Sequence, residues 1–188
     1  MKFWGRKMKV ITKSGFEIEM IKEPTDEDYM FMKKVCLNTI GKYDTQLQPT
    51  DEWIEKLLKC EHSPIRTLQF AFKMRIPYWV SVHFCRHKFG VEHFVSTQRE
   101  DRVEDNRPRD LKAQGEIVEH VIYLNAQALI NIMRKRLCNQ ASPETQEVAK
   151  AIKDLVVGHK FLYNNVLVPD CKYKGRCTEM FPCGRELV

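Results

Sequence analysis

The sequence predicts an α+β domain: a small antiparallel sheet with several helices packed against it. Three observations carry that expectation. Residues 8–20 and 66–76 alternate apolar and polar side chains with the period of two that a half-buried strand requires. Several other stretches combine helical apolar spacing with N-terminal capping residues. No internal repeat and no long linker divides the 188 residues, and 43% apolar residues suffice for one real core. Residues 1–188 are therefore read as a single domain, with 165–188 as an irregular, cysteine-rich C-terminal tail.

In chain order, Lys9-Val10-Ile11-Thr12 and Phe16-Glu17-Ile18-Glu19-Met20 read as two short strands around a turn at Ser14-Gly15. Thr25 caps a helix over 26–39, closed by Gly41. Thr50 begins a second helix with Asp51 and Glu52 in its first turn. Its apolar face is Trp53, Ile54, Leu57 and Leu58, and it ends before His62-Ser63-Pro64. From Arg66 to Ile76, Leu68, Phe70, Phe72, Met74 and Ile76 form one face of a strand. Pro77 suits the first position of a helix running from Tyr78 to Lys88, which Gly90 breaks. Residues 100–116 are a charged loop. Ile117 to Tyr123 reads as a strand or a helix start, because periodicity cannot arbitrate so short a run. Helices over about Asn125 to Arg136 and Ser142 to Val157 follow, the latter with Ser142-Pro143-Glu144 as cap, first-turn proline and first-turn acid.

The net charge of +6, from 31 basic and 25 acidic residues, suits an anionic ligand, either a nucleotide or a nucleic acid. The apolar runs are too short or too charged to span a bilayer, so no membrane partner is expected. The basic start Met1 to Lys7 lacks a following apolar run and a cleavage site. An odd count of seven cysteines argues for reduced thiols or metal ligands over disulfides, and the expected location is cytoplasmic.

His83, Arg86 and His87 stand at i, i+3 and i+4, so a helix over this segment places them on one face. Buried unpaired, that face would be costly, so it must meet water, acids or an anionic ligand. A solvated basic stripe is the bland alternative. The His83/His87 pair also has zinc-protease spacing, but Phe84 stands where the general-base Glu is needed, which sets that chemistry aside. Asn125 and Arg136 are eleven residues apart, returning to nearly the same azimuth at roughly 16 Å separation, so one helix could touch two parts of a large ligand. The bland reading here is a core helix with Leu129, Ile132 and Met133 inward.

Arg86-His87-Lys88, seven residues, then Ser96 resembles the Arg-His-Arg, seven-residue, Ser signature of the flavin-dependent thymidylate synthases. His62-Ser63-Pro64 and the strand before Pro77 sit where that family has them. Leu124-Asn125-Ala126-Gln127-Ala128-Leu129-Ile130-Asn131, Arg136 and Gln140-Ala141-Ser142-Pro143-Glu144 are similar to its later blocks. Together these cover roughly half the chain. The resemblance implies that Arg86, His87 and Lys88 contact FAD, aided by Asn125, Gln127, Asn131, Gln140 and Ser63. It implies that Ser96, Arg99 and Arg136 grip the nucleotide, with His83 in place of a family Gln, and it gives Arg99 and Arg136 the catalytic roles. Guanidinium forks suit phosphate oxygens and can lie against a ring.

The sequence departs from the pattern mainly on the nucleotide side. Lys88 replaces an Arg, and Val91, His93 and Phe94 replace Ser, Asn and Glu. Gln98 stands where the family has Arg, and Arg99 where it has Tyr. A second register aligns Thr97-Gln98-Arg99 with the Ser-x-Arg element and places Glu100 at the Tyr. The link from Arg99 to Asn125 is shorter than usual, so Arg102, Arg107 or Arg109 would have to replace a further nucleotide-binding Arg. The implied chemistry is transfer of a methylene from methylenetetrahydrofolate to C5 of dUMP and its reduction through FAD and NADPH, with no enzyme nucleophile, in a homotetramer with shared active sites. The alternative within the same chemistry is another pyrimidine deoxynucleotide such as dCMP. The alternative from a different class is a basic nucleic-acid-binding module held by a cysteine metal site. Pro182-Cys183 has the dipeptide of the cysteine-nucleophile thymidylate synthases, but it lies at the end of a chain too short for that fold.

Cys171, Cys177 and Cys183 are evenly spaced, and Cys138 could supply a fourth thiolate for zinc or an iron–sulfur cluster. The spacing lacks the close pair of a zinc ribbon, and unligated thiols are the competing reading. A metal there would pin the tail to the helix carrying Arg136.

Overall fold

The computed structural model describes residues 8–105 and 107–184. The basic start Met1 to Lys7 and the last four residues of the tail lie outside the described residues.

Five strands form one antiparallel sheet in the order β1-β2-β3-β5-β4: β1 Met8–Ile11, β2 Glu17–Lys22, β3 Gln69–Pro77, β4 Val91–Val95 and β5 Ile117–Asn125. β3 is central, and its alternation is complete on one side: Leu68, just before it, and Phe70, Phe72, Met74 and Ile76 within it are all buried. The strand starts three residues later than its period suggests, because Ser63–Thr67 forms a 3-10 turn behind Pro64. Ile117–Asn125 is a strand, paired to β3 along its full length. β4 was not anticipated: it is a short edge strand whose His93 faces inward and whose Phe94 faces out.

Helices α1 Asp26–Asn38, α2 Asp51–Lys59, α4 Ala126–Arg136 and α5 Pro143–His159 begin at Thr25, Thr50, Asn125 and Ser142, each of whose side chains accepts a first-turn backbone N–H. α5 packs on β1, β2 and α4. Leu129, Ile132 and Met133 of α4 point into the core as their spacing requires. α3 Tyr78–Cys85 is shorter than the predicted helix: Pro77 is its cap, Arg86 closes it, and His87 and Lys88 lie beyond it. Its orphan N–H groups are met by the charged loop, Tyr78 donating to the Glu116 carbonyl and Trp79 to that of Gln114. The tail contains one short helix, α6 Asp170–Lys174, ended by Gly175 at φ +66°. Among the described residues no helix is long and apolar enough to cross a membrane.

Candidate functional site

The early end of α4, the late end of α4 and the segment following α3 meet on one side of the sheet. Arg136, in the last turn of α4, is half-buried and reaches back to the end of α3. Its Nη2 donates to the His83 carbonyl at 2.6 Å and its Nε to His87 Nε2 at 3.1 Å. At the other end of α4, Asn125 donates its backbone N–H to the Gly90 carbonyl and caps the helix through Oδ1. Gly90 has φ +71°, and a Cβ there would stand 2.5 Å from Asn125 Nδ2. The segment 86–90 therefore runs alongside α4, held to Arg136 at one end and to Asn125 at the other. The two blocks noted in the sequence are parts of one surface.

The hydrogen bonds fix the protonation of the histidines. Because Arg136 donates to His87 Nε2, the His87 proton sits on Nδ1. Burial first, then the charge of Arg136, lowers the His87 pKa to about 4. Ser142 donates to Thr145 Oγ1 at 2.8 Å, and Thr145 lies 2.9 Å from His83 Nδ1, a relay that leaves His83 Nε2–H as a donor. Burial followed by Arg136 and Arg86 lowers the His83 pKa as well. Beneath them, the His93 Nε2–H donates to the His87 carbonyl at 2.8 Å, and its Nδ1 accepts from His120 Nε2 at 3.0 Å. His120 is fully buried, its Nδ1 has no partner, and burial lowers its pKa to about 4. His83, His87 and His120, each held toward the neutral form first by burial, thus surround the Arg136 guanidinium. Thr145 and His120 were not singled out in the sequence, and His93 only as a departure from the resembled pattern, since their roles depend on contacts 27 to 62 residues away. Cys85, His93 and His120 also form a group whose ligand atoms all lie within 4.8 Å of one another.

Arg86 and Lys88 are exposed, and among the described residues neither forms an ion pair. Phe89, between Lys88 and Gly90, is 92% exposed. Two free cations beside an exposed ring suit an anionic ligand with an aromatic part. The predicted amides are placed differently. Gln127 donates to Glu61 and more weakly to Asn131, at 3.5 Å. Glu61, at φ 51°, also receives Arg134. Burial pushes the Glu61 carboxyl up, but the Arg134 and Gln127 hydrogen bonds outweigh it and hold the pKa low. Ser63 is exposed at the start of the 3-10 turn, and Gln140 donates to the Phe181 carbonyl in the tail.

Where the resemblance would place the nucleotide, Ser96 extends the pairing of β4 with β5. Its N–H donates to the Glu119 carbonyl and its Oγ accepts from the Glu119 N–H. Thr97 Oγ1 accepts from the Arg99 N–H, and Arg99 makes a two-point fork with Asp101 at 2.9 and 2.7 Å. The Gln98 and Asp105 carbonyls accept from Lys112. Arg107 pairs with Asp105 and Glu116, and Arg102 with Asp101. The structure thus unites His83, Arg86, His87, Asn125 and Arg136, and it sets Ser96 to Arg99 on the sheet edge and in a loop latched by its own ion pairs. The four cysteines Cys138, Cys171, Cys177 and Cys183 line a separate cavity.

No family model matches the sequence, and no curated protein is detectably similar to it. Solved structures are. Thymidylate synthase X from Helicobacter pylori, solved with FAD and dUMP, matches with a TM-score of 0.63 at 17% identity, over 81% of this chain and 99% of that one. A second structure of the flavin-dependent enzyme from the same organism, also with FAD and dUMP, matches at 0.63 and 15%, over 79% and 98%. A UMP/dUMP methylase from Streptomyces cacaoi, bound with 5-bromo-dUMP, matches at 0.62 and 12%, over 81% and 97%. With a five-stranded antiparallel sheet, helices on one face and the Arg136 network beside it, this chain has the fold of the flavin-dependent thymidylate synthases.

Proposed function

We propose that this chain is a flavoenzyme that methylates a pyrimidine deoxynucleotide at C5, and specifically a thymidylate synthase. It would take the methylene of methylenetetrahydrofolate to dUMP and reduce it with FAD and NADPH to give dTMP. The observation that carries the reading is the Arg136 fork, which joins two separated sequence blocks resembling that family into one surface. The fold, shared with proteins solved with FAD and dUMP, supports it.

The exposed residues fit a flavin nucleotide. Arg86 and Lys88 offer unpaired cations to its diphosphate, Phe89 an apolar plane, and His87 Nδ1–H a fixed donor. When bound, FAD would relay the methylene and the reducing equivalents. The protein's part is to position and to stabilise charge. Arg136 keeps its orientation through two hydrogen bonds and presents a guanidinium where negative charge would develop on a pyrimidine. His83 and His87 are held toward the neutral form, each with one ring N–H not used by Thr145 or Arg136, so they would donate without adding charge. The exposed Phe94, Ile117 and Tyr123 on the outer face of the sheet supply apolar area for the subunit contacts of a tetramer.

One observation favours a second base. Arg99 is forked to Asp101, and Val91, His93 and Phe94 occupy the stretch where the resembled family carries polar residues, so cytosine in dCMP is the competing substrate. The test incubates the purified chain with reduced flavin, methylenetetrahydrofolate and either nucleotide. We expect a yellow protein with absorbance near 450 nm, the ordinary flavin band at roughly that wavelength, and turnover of dUMP. Turnover of dCMP alone overturns the uracil assignment. A colourless protein with salt-sensitive nucleic-acid binding overturns the enzyme reading altogether.

A further inference from the structure

From Lys172 to Gly184 every residue except the half-buried Glu179 is exposed, including Met180 at 86% and Phe181 at 77%. Apolar burial therefore does not fix the path of this segment. What fixes it is a set of polar clamps. Lys135 pairs with Glu179 at 3.1 Å, and Gln140 donates to the Phe181 carbonyl at 2.7 Å. Asp170 accepts from Lys174 at 2.8 Å and from Thr178 at 2.9 Å. Such surface contacts are individually weak, whereas ordering each residue of a segment carries its own cost in backbone entropy. The clamps share one result: they wrap Cys171, Cys177 and Cys183 around Cys138, which is buried just past the end of α4, and all four line one cavity of about 1010 Å³.

We propose that Cys138, Cys171, Cys177 and Cys183 ligate an iron–sulfur cluster that fastens the C-terminal segment to the end of α4. Four thiolates are a soft donor set that selects zinc or iron–sulfur centres. Zinc at about 2.3 Å from each sulfur would draw the four sulfurs into a tetrahedron with edges of about 3.8 Å. Among the described residues no three of these thiols lie within 4.8 Å of one another, and the cavity is far larger than an ion needs. A cluster spreads its cysteines over separate irons and fills volume with its own sulfides. Asn139 Nδ2 donates toward Cys183 Sγ at 3.9 Å, the kind of contact that supports a ligating sulfur. The binding free energy goes into ordering the tail, which its own contacts do not supply.

The full chain, prepared without oxygen, is assayed for iron, acid-labile sulfide and zinc, alongside Cys171→Ser, Cys177→Ser and a Cys60→Ser control. We expect about four irons and four sulfides per chain for a cubane cluster, lost in the first two variants and retained in the third. Trypsin cleavage after Arg176 should accelerate when the metal is removed from the unmodified chain by chelation, a readout independent of how the variants fold. One zinc per chain, lost in the same variants, overturns the cluster assignment. Absence of metal, or a content that ignores the cysteines, overturns the site. None of these outcomes depends on nucleotide turnover, so this inference and the proposed activity fail separately.

Discussion

Replacing Arg136 by Met keeps most of the side-chain volume and removes both donated hydrogen bonds, which makes it the sharpest test of the surface built along α4. A hydrogen bond from a charged donor contributes about 1.5–3 kcal/mol net when its acceptor is left stranded. Here the site is half-buried, water can reach the freed groups, and the variant no longer buries a guanidinium whose pKa burial and Arg86 already lower. The net loss of stability should be about 1–2 kcal/mol, or about 2–8 °C in Tm for a domain of this size. His87 supplies a local readout. Arg136 is the largest contribution after burial to its low pKa, so removing that charge should raise the His87 titration from about 4 by on the order of one pH unit, with burial still holding it below the ordinary 6.5. Imidazole NMR titration reads that shift, thermal unfolding reads the stability, and flavin fluorescence reads ligand binding, which should weaken at least tenfold, about 1.4 kcal/mol. Arg136→Lys should rescue little, because an ammonium cannot make the two-point contact to the His83 carbonyl and the His87 ring. An unchanged His87 titration with unchanged flavin binding would refute the reasoning.

Three further outcomes follow from the same geometry. Lowering the pH should destabilise the fold between about 6.5 and about 4, because His87 and His120 stay neutral in the folded chain while their unfolded counterparts take up protons. For fully buried His120 the gap between about 4 and the ordinary 6.5 is worth about 3 kcal/mol, and partly exposed His87 adds less. Urea midpoints measured across that range should fall steadily, and flat midpoints would count against the assigned neutrality. Gly90→Ala should cost more than the roughly 1 kcal/mol of a strained positive φ, since its Cβ meets Asn125 Nδ2 at 2.5 Å. Denaturant unfolding measures it, and a loss below about 0.5 kcal/mol would show that Asn125 is not fixed against this turn. Ser142→Ala should cost about 1 kcal/mol as a lost cap, and it should also move the His83 titration, because Thr145 loses its donor. A stability loss with no change at His83 would break the relay from Ser142 to His83.

The elements legible in the sequence are those where local pattern and one-sided burial coincide. β3 reads cleanly because each of its alternate residues from Phe70 to Ile76 is buried against the helices. The starts of α1, α2, α4 and α5 read cleanly because a capping side chain satisfies the orphan N–H groups without help from the rest of the chain. The end of α3 does not, because Arg-His-Lys would continue a helix as readily as leave it. What ends it at Cys85 is tertiary: Arg136 engages the His83 carbonyl and the His87 ring, and the chain then turns along α4. β4 was invisible for a related reason, since the two residues that matter in it, His93 and Phe94, invert the usual pattern. The polar one points in, and the aromatic one points out.

That inversion also explains why the two halves of the motif carry different weight. Between His83 and Gly90 the two histidine rings are held by Thr145 and Arg136, and the backbone by Arg136, His93 and Asn125, so resemblance in sequence becomes definite geometry there. Val91 still belongs to the core, but beyond it the chain is a sheet edge followed by a loop tied by its own carboxylates, where a substitution changes surface chemistry without disturbing the core. His93 is the exception. Its ring joins the His87 carbonyl to an otherwise unpartnered His120, so an Asn at this position, as in the resembled pattern, would be too short to span both and would strand a fully buried imidazole. The departure at residue 93 therefore belongs to the support of the segment 86–90, through its hold on the His87 backbone. The departures at Phe94, Gln98 and Arg99 face solvent or the loop, so they alter the surface without altering that support.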